Sequence, residues 1–278
     1  MYPDKFHLTQ EQNRRFAKKN LVRLVFTTSR FEGLNTTLPQ TQTIIDGMSA
    51  AGVSIDDTNV IVQLKRGWQY VIRENKPLSL NIEQNINLLV ARYDSLDPGS
   101  FRTGNVTVEL GNSNGEWQPP EINLDQERKF FDELMQKDTS ITDKAMTLMY
   151  HNMRNQLFWD GNKRTATLAA NKLMIDNGAG LISVPLNKWD KWNELISEFY
   201  LTGKMDKLKE RITNVSIDRL TIIGSIIDIQ AFQINVINDY NITEKLLPYS
   251  PTKGFNQSLK LVQGLGHIDI DNRENRVR

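Results

Sequence analysis

Five consecutive residues, Asp160-Gly161-Asn162-Lys163-Arg164, combine the residue types that a polyphosphate site needs. Gly161 and Asn162 tolerate the turn conformations of an anion-binding backbone nest. A helix starting just after them points its free N–H groups and the positive end of its dipole at the same spot. Lys163 and Arg164 add formal positive charge, and Asp160 offers a hard oxygen ligand for magnesium. The same spacing also suits a helix–turn–helix corner with a capping Asp and two solvated basic residues. Spacing alone leaves both readings open.

The stretch Phe158-Trp159-Asp160-Gly161-Asn162-Lys163-Arg164 resembles the Fic/Doc family signature, H-x-F-x-D/E-G-N-G/K-R, in its Doc-like form with Lys after the Asn. Pro98-Gly99-Ser100-Phe101-Arg102, a hairpin pattern and Pro119-Pro120 resemble the family's flap. Thr28-Ser29-Arg30-Phe31-Glu32-Gly33 is similar to its inhibitory-helix pattern, S/T-x-x-x-E-G/N. The resemblance spans roughly residues 15–212 and implies an all-α Fic/Doc fold, a helical bundle with one small β-hairpin flap. It further implies ATP and Mg²⁺ as cofactors. Asp160 would hold the metal, Gly161 and Asn162 the α-phosphate, and Lys163 and Arg164 the outer phosphates, with Phe158 as a core anchor. The implied activity is transfer of AMP to Ser, Thr or Tyr hydroxyls of a target protein docked at the 102–117 flap. Doc-like members transfer a phosphoryl group instead.

The chain departs from the pattern at two places. Gln156 fills the position of the family's general base, and a carboxamide takes no proton at neutral pH. General acid–base help is worth about 10²–10⁴-fold in rate, so activity is expected to be impaired or lost. The alternative is an inactive Fic-fold protein that binds a nucleotide or a partner without turnover. Leu157 also replaces the usual Pro. His151 lies five residues earlier, about 500° around a helix, and reads as a surface or packing histidine. The second departure is Thr167, where many AMP-transferring members carry a second Arg that meets the inhibitory Glu. Glu32 must therefore meet Arg164, Lys163 or Thr167, or else Thr28, Glu32 and Gly33 simply shape and solvate a helix end.

These residues need elements to carry them. Thr9-Gln10-Glu11-Gln12 reads as a capping box for a helix running to about Phe31 and stopping near Gly33. Further helices are expected around Ile61–Ile72, Ile82–Tyr93, Asp125–Lys137, Thr142–Asn155, Lys163–Asp176 and Trp189–Phe199. Val106 to Leu110, a Gly/Asn-rich turn and Trp117 predict the hairpin. Trp189, Trp192 and Phe199 fall at helical spacing and read as core. The expected organisation is an amino-terminal helical region (1–97) with the inhibitory-type motif at 28–33. A Fic core follows (98–212) with flap 101–121 and signature 156–164, then a carboxy-terminal helical extension (213–278). Helices are expected there at Leu220–Asn238 and Phe255–Leu265.

The chain has 278 residues, 39% apolar and 24% charged, ordinary values for a globular protein. Its 34 basic and 33 acidic residues create no overall field towards nucleic acid or anionic lipid, which argues against a DNA-binding role for Phe255–Ile268. The absence of cysteine removes disulfides, thiolate catalysis and Cys-based zinc sites and fits a cytoplasmic protein. Met1 to Gln12 lacks a signal peptide's apolar stretch, and Leu220–Ile237 is broken by polar residues, so no membrane partner is expected. A homo-oligomer remains compatible with all of this.

Overall fold

Six of the described helices start on a side chain that takes one of the first free backbone N–H groups. The computed structural model describes residues 2–110, 115–184 and 186–212, with side chains to residue 210. In it, Thr9 Oγ1 accepts from Gln12 N while Gln12 Oε1 accepts from Thr9 N, the reciprocal box the sequence predicts. Helix α1 (Gln10–Lys19) follows, but it does not continue to Phe31. Asn20 breaks it: its side chain donates to Phe16 O at 2.9 Å, competing with the helical ladder, and α2 (Leu21–Ser29) restarts beyond. A 3-10 turn (Arg30–Glu32) follows and Gly33, at φ 71°, ends it.

Helix α3 (Leu38–Ile45) was not expected, although Thr37 and Gln40 form a second capping box around Pro39. Then come α4 (Ile55–Arg73) and α5 (Leu80–Val90), the latter ending three residues before the expected Tyr93. The hairpin pairs β1 (Val108–Glu109) with β2 (Glu116–Trp117), in the register Val108↔Trp117. Helices α6 (Leu124–Gln136), α7 (Ile141–Asn155), α8 (Asn162–Asp176), α9 (Trp189–Thr202) and the unforeseen α10 (Asp206–Ile212) complete the described α-helices. The helices expected at Leu220–Asn238 and Phe255–Leu265 lie outside the described residues, as does the extension 213–278. Among the described residues no helix is long and apolar enough to cross a membrane.

Helix α8 explains the architecture. Apart from Lys163, every residue from Asn162 to Ile175 is buried, so neighbours must cover it on all sides. It packs on α7, α5, α4, α1 and α2. A methyl at Gly67 of α4 would lie 2.4 Å from Val90 Cγ1 of α5 and 2.8 Å from Leu168 Cδ2 of α8. Only a glycine lets α4 approach both helices this closely. Trp192 and Phe199, each 2% exposed, join this core as the helical spacing predicts.

Candidate nucleotide site

The Asp160–Arg164 turn sits between the end of α7 and the start of α8 and is held by polar side chains from elsewhere. Asn162 Oδ1 accepts from Phe158 N (2.9 Å) and its Nδ2 donates to Phe158 O (2.8 Å), so this side chain folds the loop back on itself. Gly161 has φ 70°, and a methyl there would lie 2.6 Å from Ala91 Cβ. Asn87, fully buried on α5, donates to Asp160 O (2.8 Å) and Thr165 Oγ1 (3.1 Å) and accepts from Gly99 N (2.9 Å). One carboxamide thus ties the turn to the approach to the hairpin. The sequence carried a clue: Glu83 and Asn87 are polar residues one turn apart beside the apolar stripe Ile82, Ile86, Val90.

The hairpin segment lies against the turn. Phe101 forms an antiparallel bridge to Phe158, their rings stack with centroids 5.2 Å apart, and Arg102 N donates to Leu157 O at 3.0 Å. The Arg102 guanidinium, 4% exposed, donates to the carbonyls of Gln156 (2.6 Å), Gly104 (2.7 Å), Asn155 (3.2 Å) and Pro120. Trp117 Nε1 donates to Arg154 O at 3.0 Å, and the Arg154 guanidinium covers the Trp117 ring at 4.2 Å.

The two basic residues of the turn have different surroundings. Arg164 is fully buried and donates to Val90 O (2.5 Å) and Asp94 Oδ2 (2.8 Å), with Asp160 Oδ1 at 3.4 Å. Its Nε lies 2.7 Å from Glu32 Oε1, an ion pair without a hydrogen bond's angle. Of the three candidates for Glu32, the guanidinium of Arg164 is the one in contact. Thr167 instead donates to Lys163 O. Lys163 is half-buried and its ammonium makes no hydrogen bond or ion pair among the described residues. Burial lowers its pKa, opposed by Glu32. Burial also raises the pKa of Glu32, with Arg164 pulling the other way and Asp160 raising it further.

Asp160 is the open carboxylate of the group, 48% exposed. Its Oδ1 accepts from Gly161 N and faces Arg164, leaving Oδ2 without a protein donor. No side chain caps α8, so the first N–H groups of that helix have no side-chain acceptor. Among the described residues no three His, Asp or Glu converge as a metal cluster. A single carboxylate fits magnesium, which keeps waters and arrives with phosphate oxygens.

Gln156 caps α7 in the left-handed region, φ 50° and ψ 63°, the one non-glycine residue among those described with positive φ. It is 8% exposed and Nε2 donates to Met153 O at 2.6 Å. The Tyr200 hydroxyl lies beside this carboxamide without a hydrogen bond; burial holds that phenol well above its ordinary pKa. His151 lies 2.7 Å from Glu127 Oε2 and stacks on Phe130. Thr28 Oγ1 donates to Leu24 O (2.6 Å) and accepts from Trp68 Nε1 (3.2 Å), anchoring α2 to α4.

The helical array, with a hairpin segment bridged to the turn at the start of its central helix, has a Fic-type fold. Residues 79–174 match the Fic/DOC family, and the chain carries a Fic/DOC family domain there. Protein adenylyltransferase fic-1 of Caenorhabditis briggsae is 26% identical over 185 residues, which cover 62% of this chain and 35% of that protein. The chain therefore spans about a third of that curated relative. Among solved structures, Fic-1 of C. elegans superposes with a TM-score of 0.63 at 18% identity, covering 78% of this chain and 66% of that one. A Fic domain containing signaling protein from Bacteroides thetaiotaomicron gives 0.61 at 15% identity, covering 83% and 90%. At such identities these likenesses show the fold. The match takes in hairpin and signature and leaves out Thr28, Glu32, Gly33 and α9.

Proposed function

We propose that this protein binds Mg-ATP at the start of α8 and is built for AMP transfer to a Ser, Thr or Tyr hydroxyl of a target protein, with the proton-abstraction step disabled by Gln156. The supporting observation is the contrast at the signature. Lys163 presents a half-buried, unpartnered ammonium beside an uncapped helix N-terminus and the open Oδ2 of Asp160. Nearby, a carboxamide bonded to Met153 O fills the base position. Asp160 would hold magnesium, whose charge would offset the phosphates. The backbone of Gly161 and Asn162 and the Lys163 ammonium would receive the phosphate oxygens.

Glu32 regulates this site. With Asp94 and Asp160 it places three carboxylates around the Arg164 guanidinium, which outer phosphates would otherwise meet. The relative named as an adenylyltransferase supports AMP as the group moved. The outer strand edge of the hairpin, beside the turn, suits an extended target segment that adds a strand.

Calorimetry of the full chain with Mg-ATP tests the reading. Binding is expected, strengthened by Glu32→Gly and weakened about tenfold or more by Lys163→Ala, and likewise by Asp160→Ala, as loss of a charged contact predicts. No heat from the folded chain or from Glu32→Gly would reduce the site to a scaffold.

A further inference from the structure

The turn that carries Glu32 also carries Phe31, and the two side chains face different elements. In a 3-10 turn successive residues point about 120° apart. Glu32 accordingly meets Arg164 of α8, whereas the Phe31 ring meets α9. Its centroid lies 5.2 Å from Trp189 and 5.4 Å from Trp192, tilted 51° and 58°, and the two indoles stack at 5.3 Å. Trp192 is buried, and Phe31 and Trp189 are half-buried. The entry and exit of the turn are fixed separately, by Thr28 on Trp68 and by Arg30 donating to Leu34 O and Thr36 O. What remains is rotation of the turn between those points, and rotating Glu32 off Arg164 drags Phe31 out from the indoles.

We propose that Trp189 and Trp192 clamp Phe31 and thereby keep Glu32 on Arg164, so that α9 is the element that must shift for the nucleotide site to open. Its meaning for nucleotide rests on the function proposed above. Phe31 is a positioning residue, acting only through Glu32. The far end of α9 reaches the rest of the site: Tyr200 O accepts from Arg154 Nε at 2.9 Å, and Arg154 covers Trp117 of the hairpin. The Tyr200 side chain borders Gln156. A partner that displaces α9 would therefore act on the carboxylate, the base position and the hairpin together. Phe31 and α9 both lie outside residues 79–174, so the clamp is additional to the matched domain.

The test follows the Arg164 Nε–Hε signal by NMR in the full-length ¹⁵N-labelled chain, assigned by its loss in Arg164→Lys. Glu32→Gly defines where the signal lies once the carboxylate is gone. Phe31→Ala and Trp189→Ala are expected to move it to that position, while Phe31→Tyr leaves it in place. In parallel, Phe31→Ala should tighten Mg-ATP binding as much as Glu32→Gly does, about tenfold or more if the closed state holds nine-tenths of the population, and the double variant should gain nothing further. A folded Phe31→Ala whose signal stays at the wild-type position overturns the clamp; should that variant not fold, Trp189→Ala decides by the same criterion. If no variant binds nucleotide, the proposed function falls, and the NMR comparison still settles the clamp.

Discussion

Glu83 offers a pH-dependent test of how α5 is held beside the site. Its carboxyl is fully buried; Oε2 accepts from Asn152 Nδ2 of α7 at 2.8 Å, and Oε1 has no partner. Burial raises its pKa from 4.5 to about 8, with Asn152 opposing and Glu127 adding to the rise. Above the ordinary carboxylate range the unfolded chain has lost this proton while the native chain keeps it. The native state then binds more protons, and stability falls as pH rises. The contribution is complete below about pH 4.5, declines by about 1.4 kcal/mol per pH unit, and is exhausted above about pH 8. Over that range it integrates to roughly 5 kcal/mol. Glu83→Gln keeps the shape and the acceptor for Asn152 but cannot titrate. Urea unfolding from about pH 5 to about pH 8 should show the wild type losing roughly 4 kcal/mol relative to the variant. Parallel stability profiles, within about 0.5 kcal/mol, would refute the argument that α5 carries a buried neutral acid.

Gln156→His should restore transfer of AMP from α-labelled ATP to the protein's own hydroxyls, with pyrophosphate leaving, about 10²-fold over wild type, measured with Glu32→Gly alongside. Histidine tolerates the left-handed backbone at this position, and Nδ1–H donating to Met153 O, as Gln156 does now, would leave Nε2 free to take a proton. Label on wild type at the same rate would show that the base is elsewhere. Gly67→Ala should destabilise the protein by about 1–3 kcal/mol, because its methyl meets Val90 and Leu168 well inside contact distance; an unchanged thermal midpoint would contradict the close crossing of α4 over α5 and α8.

Much of this architecture could be read in the sequence where local chemistry decides it. Thr9 with Gln12 starts α1, alternating residues make the short hairpin, and Trp192 and Phe199 fall on a buried stripe. Other features could not be read, either because the local signal was too weak or because distant partners decide them. Asn20 breaks a helix through its own side chain in a context that periodicity favours. The short α3 has too few residues to show a period, and only its capping box marked it. At the site, the turn residues announced themselves by type. That Arg164 would be buried among Asp94, Val90 O and Glu32 depends on where α5 and the Glu32 turn come to rest. Arg102 looked like one residue of a motif, and its four carbonyl partners come from three separate stretches of chain.

That guanidinium has a chemical consequence in a chain without cysteine. By donating to Gly104 O and Pro120 O at once, Arg102 closes the hairpin into a loop at its base; through Asn155 O and Gln156 O it fastens the loop to the end of α7. A disulfide would restrict the unfolded chain by closing such a loop, but it would also make the closure depend on the local thiol–disulfide balance. The arginine fork has no redox chemistry. The hairpin base therefore keeps its place beside the signature turn equally well in reducing and oxidising surroundings.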